Sequence, residues 1–140
     1  MSSTPFLSIV VPSLHGQTDR LRLLLARQTF QNWELIVKQG IRPAAKARNL
    51  GAAEAGGEVI VFMDDDAGIK HDDLLSRLAA ALERVDKKSA VGIRHRISPQ
   101  ATPFQKAQAR AAITESGDSS TREIAEAGWN TVGTLCLAIR

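Results

Sequence analysis

Short apolar runs alternate with stretches of helical periodicity from the N-terminus to about residue 97. Leu7–Val11 is β-rich and is stopped by Pro12, which predicts a first strand followed by a polar loop over 13–17. Thr18 is placed to cap a helix from Asp19 to about Thr29, with Leu21, Leu24 and Leu25 on one face. Trp33–Val37 predicts a second buried strand, and Gly40 and Pro43 mark a loop. An alanine-rich segment from about Pro43 to Ala55 reads as a helix, with proline in its first turn and Gly56-Gly57 at its end. Val59–Met63 predicts a third strand, buried on both faces because no polar residue interrupts it. Asp72 and Asp73 fall in the first turn of a further helix, whose apolar stripe is Leu74, Leu75, Leu78, Leu82 and Val85. A fourth strand is expected over about Ala90–Ile97. Strands alternating with helices imply an α/β protein: a mostly parallel sheet with helices on both faces. Beyond residue 97 the pattern loosens. Pro103–Thr114 fits a helix, Glu115–Thr121 a polar loop and Thr121–Ala127 a short helical piece, while Leu135, Leu137 and Ile139 alternate as in a strand.

The third strand ends abruptly on three consecutive carboxylates, Asp64, Asp65 and Asp66. Adjacent negative charges beside an apolar sheet repel one another with little screening, so they call for a cation or for several hydrogen bonds. The carboxyl end of a strand in an open α/β sheet is also where ligands bind. These residues therefore point to a site for a divalent metal and a nucleotide phosphate. Oxygen ligands of this kind favour Mn²⁺ or Mg²⁺, held jointly by carboxylate, water and diphosphate. Were the strand to continue straight, Asp64 and Asp66 would lie on one side roughly 7 Å apart, too far to share one ion unless the backbone bends. The bland alternative is a solvated acidic turn. Two other acidic motifs fail: a dehalogenase-type phosphatase expects Thr or Val where Gly68 stands, and an EF-hand lacks its later ligands at Gly68 and Leu75.

Composition narrows the class without choosing a function. The chain has 140 residues, of which 44% are hydrophobic and 24% charged, which suits one globular domain with a real core. A net charge of +3 does not argue for nucleic acid. The single cysteine, Cys136, rules out an intrachain disulfide. No apolar stretch approaches the ~20 residues of a membrane span, and the N-terminus lacks the build of a signal peptide. The expectation is a cytoplasmic protein, with the inner face of the membrane as a peripheral alternative.

A second constellation is Ala47-Arg48-Asn49-Leu50-Gly51 within the alanine-rich helix. Asn and Gly are both unfavourable in a helix interior, Gly by about 1 kcal/mol. Gly51 and the alanines permit close packing on the sheet, and Arg48 can reach a phosphate or base; a solvated arginine on a tight helix–strand contact explains the segment equally well. His15 lies in the loop after the first strand, His71 reads as surface, and His95 sits between Arg94 and Arg96 on a solvated face. Met63 and Trp33 read as core. No Ser-His-Asp set, P-loop or zinc spacing is present.

In order along the chain, Ser8-Ile9-Val10-Val11-Pro12-Ser13, Gln28-Thr29-Phe30-Gln31-Asn32-Trp33-Glu34-Leu35-Ile36-Val37, Ala47-Arg48-Asn49-Leu50-Gly51 and Gly57-Glu58 through Asp66 resemble the N-terminal half of the family-2 inverting glycosyltransferases. Gly133 to Arg140 is more weakly similar to that family's acceptor-side segment. The resemblance implies the GT-A fold, a Rossmann-like three-layer α/β/α arrangement. It implies one domain over 1–140, with 8–97 as the nucleotide-sugar and metal-binding core and 98–140 as a partial acceptor-side region. It further implies a nucleotide-diphospho-sugar donor, a divalent metal (Mn²⁺ or Mg²⁺) and direct displacement at the anomeric carbon.

Asp64 and Asp66 match the family's D-x-D motif, which makes Asp66, with Asp64, the implied metal ligands. Asp64 or Asp65 would hold the ribose, and Pro12, Ser13 and Arg48 would lie near the nucleotide. The acceptor (glycan, lipid-linked or protein) is not specified. Two departures stand out. After the second strand the family carries a pair of aspartates, one of which contacts the base; here Lys38-Gln39-Gly40 follows, so uracil recognition is not implied and Lys38 becomes a phosphate candidate. The family's catalytic base usually lies beyond the acceptor-side segment, whereas Glu115, Asp118, Glu123 and Glu126 all precede it, so no base is assigned. The expectation is a truncated transferase or a minimal relative, inactive alone unless a homodimer or a partner chain completes the acceptor side. The rival is a non-catalytic nucleotide-sugar-binding or interaction module on the same fold.

Overall fold

The computed structural model describes residues 4–86, 90–92, 99–108 and 136–139. The chain divides into two compact units, one of Met1–Gly92 with Gly133–Arg140 and one of Ile93–Val132. In the first, β1 (Leu7–Ser13), α1 (Asp19–Ala26), β2 (Trp33–Gln39), α2 (Ala44–Glu54), β3 (Val59–Met63), α3 (Leu74–Glu83), β4 (Ala90–Gly92) and β5 (Cys136–Ile139) follow one another. In the second, residues 103–108 are helical. Their start carries a reciprocal cap: the Gln105 amide donates to Thr102 Oγ1 at 3.2 Å, and the Thr102 amide donates to Gln105 Oε1 at 2.9 Å.

The strands form one sheet in the order β2-β1-β3-β5-β4. β1 is parallel to β2, with Leu7 opposite Trp33 and Ser13 opposite Gln39, and parallel to β3, with Leu7 opposite Val59 and Val10 opposite Phe62. β5 runs antiparallel to both β3 and β4, so four strands point one way and one the other. The chain leaves β1 for β2 on one side and then crosses back over β1 to β3 on the other. Two right-handed crossovers in opposite directions put α1 and α2 on opposite faces of the sheet. The burial of β1 reflects that enclosure: Ile9 and Val10 face opposite ways, and both are 0% exposed. The core is completed by Leu21, Leu25, Val59, Val61, Met63, Leu75 and Leu82.

α2 lies directly on β1. A Cβ on Gly51 would collide with Cγ1 of the buried Val10, so this position in the helix has room only for glycine. On the other face, the buried side chain of Gln28 joins the end of α1 to the start of α3. Its Nε2 donates to the His71 carbonyl at 3.0 Å, and its Oε1 accepts from the Leu75 amide at 3.0 Å. That second bond satisfies one of the free N–H groups at the α3 terminus. It does so where Asp73, at the capping position, makes no side-chain cap.

At the amino end of the strands, Glu34 binds three elements together. Ser8 Oγ donates to Glu34 Oε1 at 2.5 Å, the Gly56 amide donates to the same oxygen at 2.7 Å, and the Gly57 amide donates to Ser8 Oγ at 2.8 Å. The Ser8 hydroxyl and then the Gly56 amide hold the Glu34 carboxyl below its ordinary pKa.

Several sequence expectations are corrected. β1 continues through Pro12 to Ser13; its pairing with β3 ends at Val10, so proline stands where that side of the strand has no partner and its missing N–H breaks no ladder. β2 reaches Gln39 and is half-buried, because it is the sheet's edge; Trp33 at its start is accordingly half-buried. β3 alternates, with Ile60 and Phe62 half-buried. α1 stops at Ala26, short of Thr29. Asp72 and Asp73 precede α3, Asp72 pairing instead with Arg27 at 3.3 Å, and Val85 lies past the helix end. β4 is described only over Ala90–Gly92. The expectations for 93–98 and 109–135, including His95, Glu115, Asp118, Glu123 and Glu126, fall outside the described residues.

Candidate functional site

The point where the strand order reverses lies between the carboxyl ends of β1 and β3, the crevice in which open α/β sheets bind ligands. Ser13 closes β1 there and Asp64 follows β3. Ser13 Oγ donates to Asp65 Oδ2 at 2.6 Å and accepts from the Gly16 amide at 3.0 Å. The Gly40 amide donates to the Ser13 carbonyl at 3.0 Å, so the loop after β2 is anchored to the same residue. Gly16 adopts φ +72°, and the Gln39 side chain rests where a Cβ would stand, which restricts the position to glycine.

The aspartates do not continue the strand. The Ala67 amide donates to the Asp64 carbonyl at 3.1 Å, closing a turn over 64–67. This bend removes the straight-strand spacing between Asp64 and Asp66 and gives each carboxylate its own surroundings. Asp64 accepts from Arg48 Nη2 at 2.9 Å, in an ion pair whose side chains are 19% (Arg48) and 30% (Asp64) exposed. Asp65 is held by Ser13. Asp66 is exposed and, among the described residues, has no hydrogen bond or ion pair. The repulsion expected of the triplet is thus relieved at its first two members and left open at the third.

A cleft of about 440 Å³ is lined by Pro12, Ser13, Leu14, Ile41, Arg42, Ala44, Arg48, Asp64, Asp65 and Asp66. A smaller hollow of about 230 Å³, lined by Gln17, Arg20, Asp65 and Asp66, adjoins it. The two share Asp65 and Asp66. Six of the binding candidates picked out in the sequence, Pro12, Ser13, Arg48, Asp64, Asp65 and Asp66, therefore line one cleft. Lys38 does not: it pairs with Glu54 of α2. His15 and His71 are exposed and line neither hollow.

The sequence profile of Glycosyl transferase family 2 matches residues 15–136, most of the chain. The chain belongs to this family. Among curated proteins, none matches it. Its α/β sheet, with β1, β2 and β3 parallel and helices on both faces, is the family's GT-A, Rossmann-like arrangement. Membership gives the chain a role in glycosyl transfer.

Among the described residues, no three His, Cys, Asp or Glu side chains gather into a metal cage. Asp66 nevertheless fits a cation held jointly with a ligand, because its carboxylate is exposed and uncommitted. Asp64, on the same turn, has its Oδ1 engaged by Arg48. No helix among the described residues is long and apolar enough to cross a membrane.

Sequence reasoning passed over Leu14, Ile41, Arg42, Ala44, Gln17 and Arg20. The usable signal was topological: all six lie in loops or first turns that follow β1 and β2, at the carboxyl edge of the sheet. Arg42, exposed and without a hydrogen bond or ion pair among the described residues, is the most prominent of them.

Proposed function

We propose that this family-2 glycosyltransferase domain binds a nucleotide-diphospho-sugar in the cleft and transfers its sugar to an acceptor hydroxyl, in the cytoplasm. The observation that carries the reading is the division of labour among the aspartates, with Asp64 neutralised by Arg48, Asp65 fixed by Ser13 and Asp66 left open at the reversal point of the sheet. Asp66, with Asp64 beside it, would hold Mn²⁺ or Mg²⁺. Such an ion supplies positive charge against the leaving diphosphate. Asp65, oriented by the Ser13 hydroxyl, is placed to accept a hydrogen bond from a ribose hydroxyl. Pro12 and Ser13 form the floor beneath the nucleotide, and Arg48 keeps the carboxylates from repelling the phosphates. The new bond joins the acceptor oxygen to the anomeric carbon as the bond from that carbon to the diphosphate breaks. The acceptor proton goes to a carboxylate base.

A second reading, a nucleotide-sugar-binding module without turnover, is favoured by one observation. Among the described residues, the carboxylates lining the cleft are the three of the β3 turn, and two of them are already engaged. Release of nucleoside diphosphate from a panel of sugar nucleotides with Mn²⁺ separates the readings. The transferase reading expects slow release to water, accelerated by an acceptor and abolished in Asp66→Ala. Binding without any release across sugars and acceptors would favour the module.

A further inference from the structure

We propose that β2 is a dimerisation edge. Two copies of this chain pair β2 against β2, antiparallel about a two-fold axis at Ile36, and so join their sheets into one. β2 ends the strand order, and among the described residues no strand pairs with its outer side. It has seven residues and keeps unbroken register with β1 from Trp33 to Gln39, with no bulge and no proline. A long, regular edge of this kind is a template for another strand unless charges, prolines or bulges blunt it. The two charges of β2 do little to blunt it, because both are tied to their own chain. Lys38 pairs with Glu54, and Glu34 accepts from Ser8 and from the Gly56 amide. Between them run Leu35, Ile36 and Val37, all half-buried. Leu50, 41% exposed, stands one helical turn before Glu54 and adds an apolar side chain to the stripe of α2 that reaches β2.

The sequence of β2 chooses the partner and the register. At one end of the β1–β2 ladder the Leu7 amide donates to the Asn32 carbonyl at 3.2 Å, and at the other the Gly40 amide donates to the Ser13 carbonyl at 3.0 Å. Backbone groups of successive residues point to alternate edges of a strand, so Glu34, Ile36 and Lys38 face β1. The N–H and C=O groups of Leu35 and Val37 point outward and need a partner. In an antiparallel pair centred on Ile36, Leu35 lies opposite Val37 of the second copy, and the two exchange both backbone bonds. Ile36 then meets its own copy at a non-hydrogen-bonded position, where side chains approach most closely. Glu34 lies opposite Lys38 of the second copy, twice by symmetry, so unlike charges meet on the same face. A slip of two residues, the smallest that keeps the outward groups opposed, sets one of these charges against Ile36 and the other beyond the strand end. The strand Trp33-Glu34-Leu35-Ile36-Val37-Lys38-Gln39 is therefore complementary to itself in this one register. That pattern selects a second copy of the chain as the occupant.

The test combines mass, amide exchange and cross-linking on the full chain. Light scattering over a concentration series should rise to twice the 15.1 kDa of one chain. Hydrogen exchange at the Leu35 and Val37 amides should slow over the same series, while the Ile36 amide, already bonded to β1, should not respond. Ile36→Cys should oxidise to a covalent dimer, since opposed residues at that position have Cα atoms about 4.5 Å apart, within disulfide reach. Gln39→Cys should stay monomeric under the same oxidation, because each Gln39 lies opposite Trp33 of the second copy and the two introduced thiols are about 20 Å apart along the strands. An unchanged unfolding midpoint would establish that both variants are folded, and the mass and exchange measurements on the wild-type chain need neither. A mass of one chain throughout the series would overturn the proposal. So would a dimer in which the Leu35 and Val37 amides stay unprotected, or one that Gln39→Cys traps and Ile36→Cys does not.

Discussion

The three aspartates are identical in type and adjacent in sequence, yet a single turn gives them three environments. One faces an arginine from α2, one a serine from β1, and one solvent. That division was only half legible in the sequence. The abrupt change from Met63 to Asp64 marked the strand's end and the need for compensation. The hydrogen bond that closes the turn over 64–67 leaves no specific local signature, because Asp accepts many turn types and Ala67 marks none. Gly51 was more transparent. Glycine inside an alanine-rich helix is locally unfavourable, so a packing reason was expected, and Val10 supplies it. Gly51→Ala should therefore lower stability by about 1–3 kcal/mol through overpacking, outweighing the ~1 kcal/mol that alanine gains in helix propensity. Urea unfolding is the measurement, and a midpoint equal to or above wild type would contradict the contact.

Elements are held in register by a few polar side chains, Gln28 buried and Glu34 half-buried, rather than by apolar packing alone. Gln28 bridges α1 and α3, and Glu34 bridges β2, β1 and the connection between α2 and β3. Neither role could be read locally, since each partner lies more than twenty positions away in the chain; the same is true of β5, which enters antiparallel between β3 and β4. The apolar alternation around Leu137 announced a strand but not its direction or neighbours. The strands β1 and β3 and the helix α2 were legible because period and punctuation agree there. The Glu34 bridge carries a pH prediction. Its folded pKa lies below the ordinary 4.5, so its contribution is fully present above that value and is lost as pH falls through the lowered folded pKa. The unfolding midpoint of wild type should fall more steeply than that of Glu34→Gln as the pH drops below about 4.5. Parallel curves would mean that the carboxylate contributes nothing.

On the scale of the whole molecule, the sheet's reversal of direction does the assembling. Because the chain crosses from β2 back over β1 to β3, the ends of β1 and β3 become neighbours, and Ser13 and Asp65 meet across fifty-two positions of sequence. The same crossing brings α2, with Arg48, over β1 and delivers the loop carrying Ile41 and Arg42 to the same cleft. The ordered motifs of the sequence therefore come to line a single cleft only through topology, which is why the sequence motifs mark Ser13, Arg48 and Asp64 to Asp66 separately and leave out loop residues such as Ile41 and Arg42 that line the same cleft. The central claim is that this site holds a nucleoside diphosphate together with a metal on Asp66. The most direct test is calorimetric titration of nucleoside diphosphates in Mn²⁺ and in chelator, on the wild-type chain and on Asp66→Ala. The account predicts binding that requires the metal and disappears in the variant. Binding that is equally tight in chelator, or that survives the loss of Asp66, would contradict it.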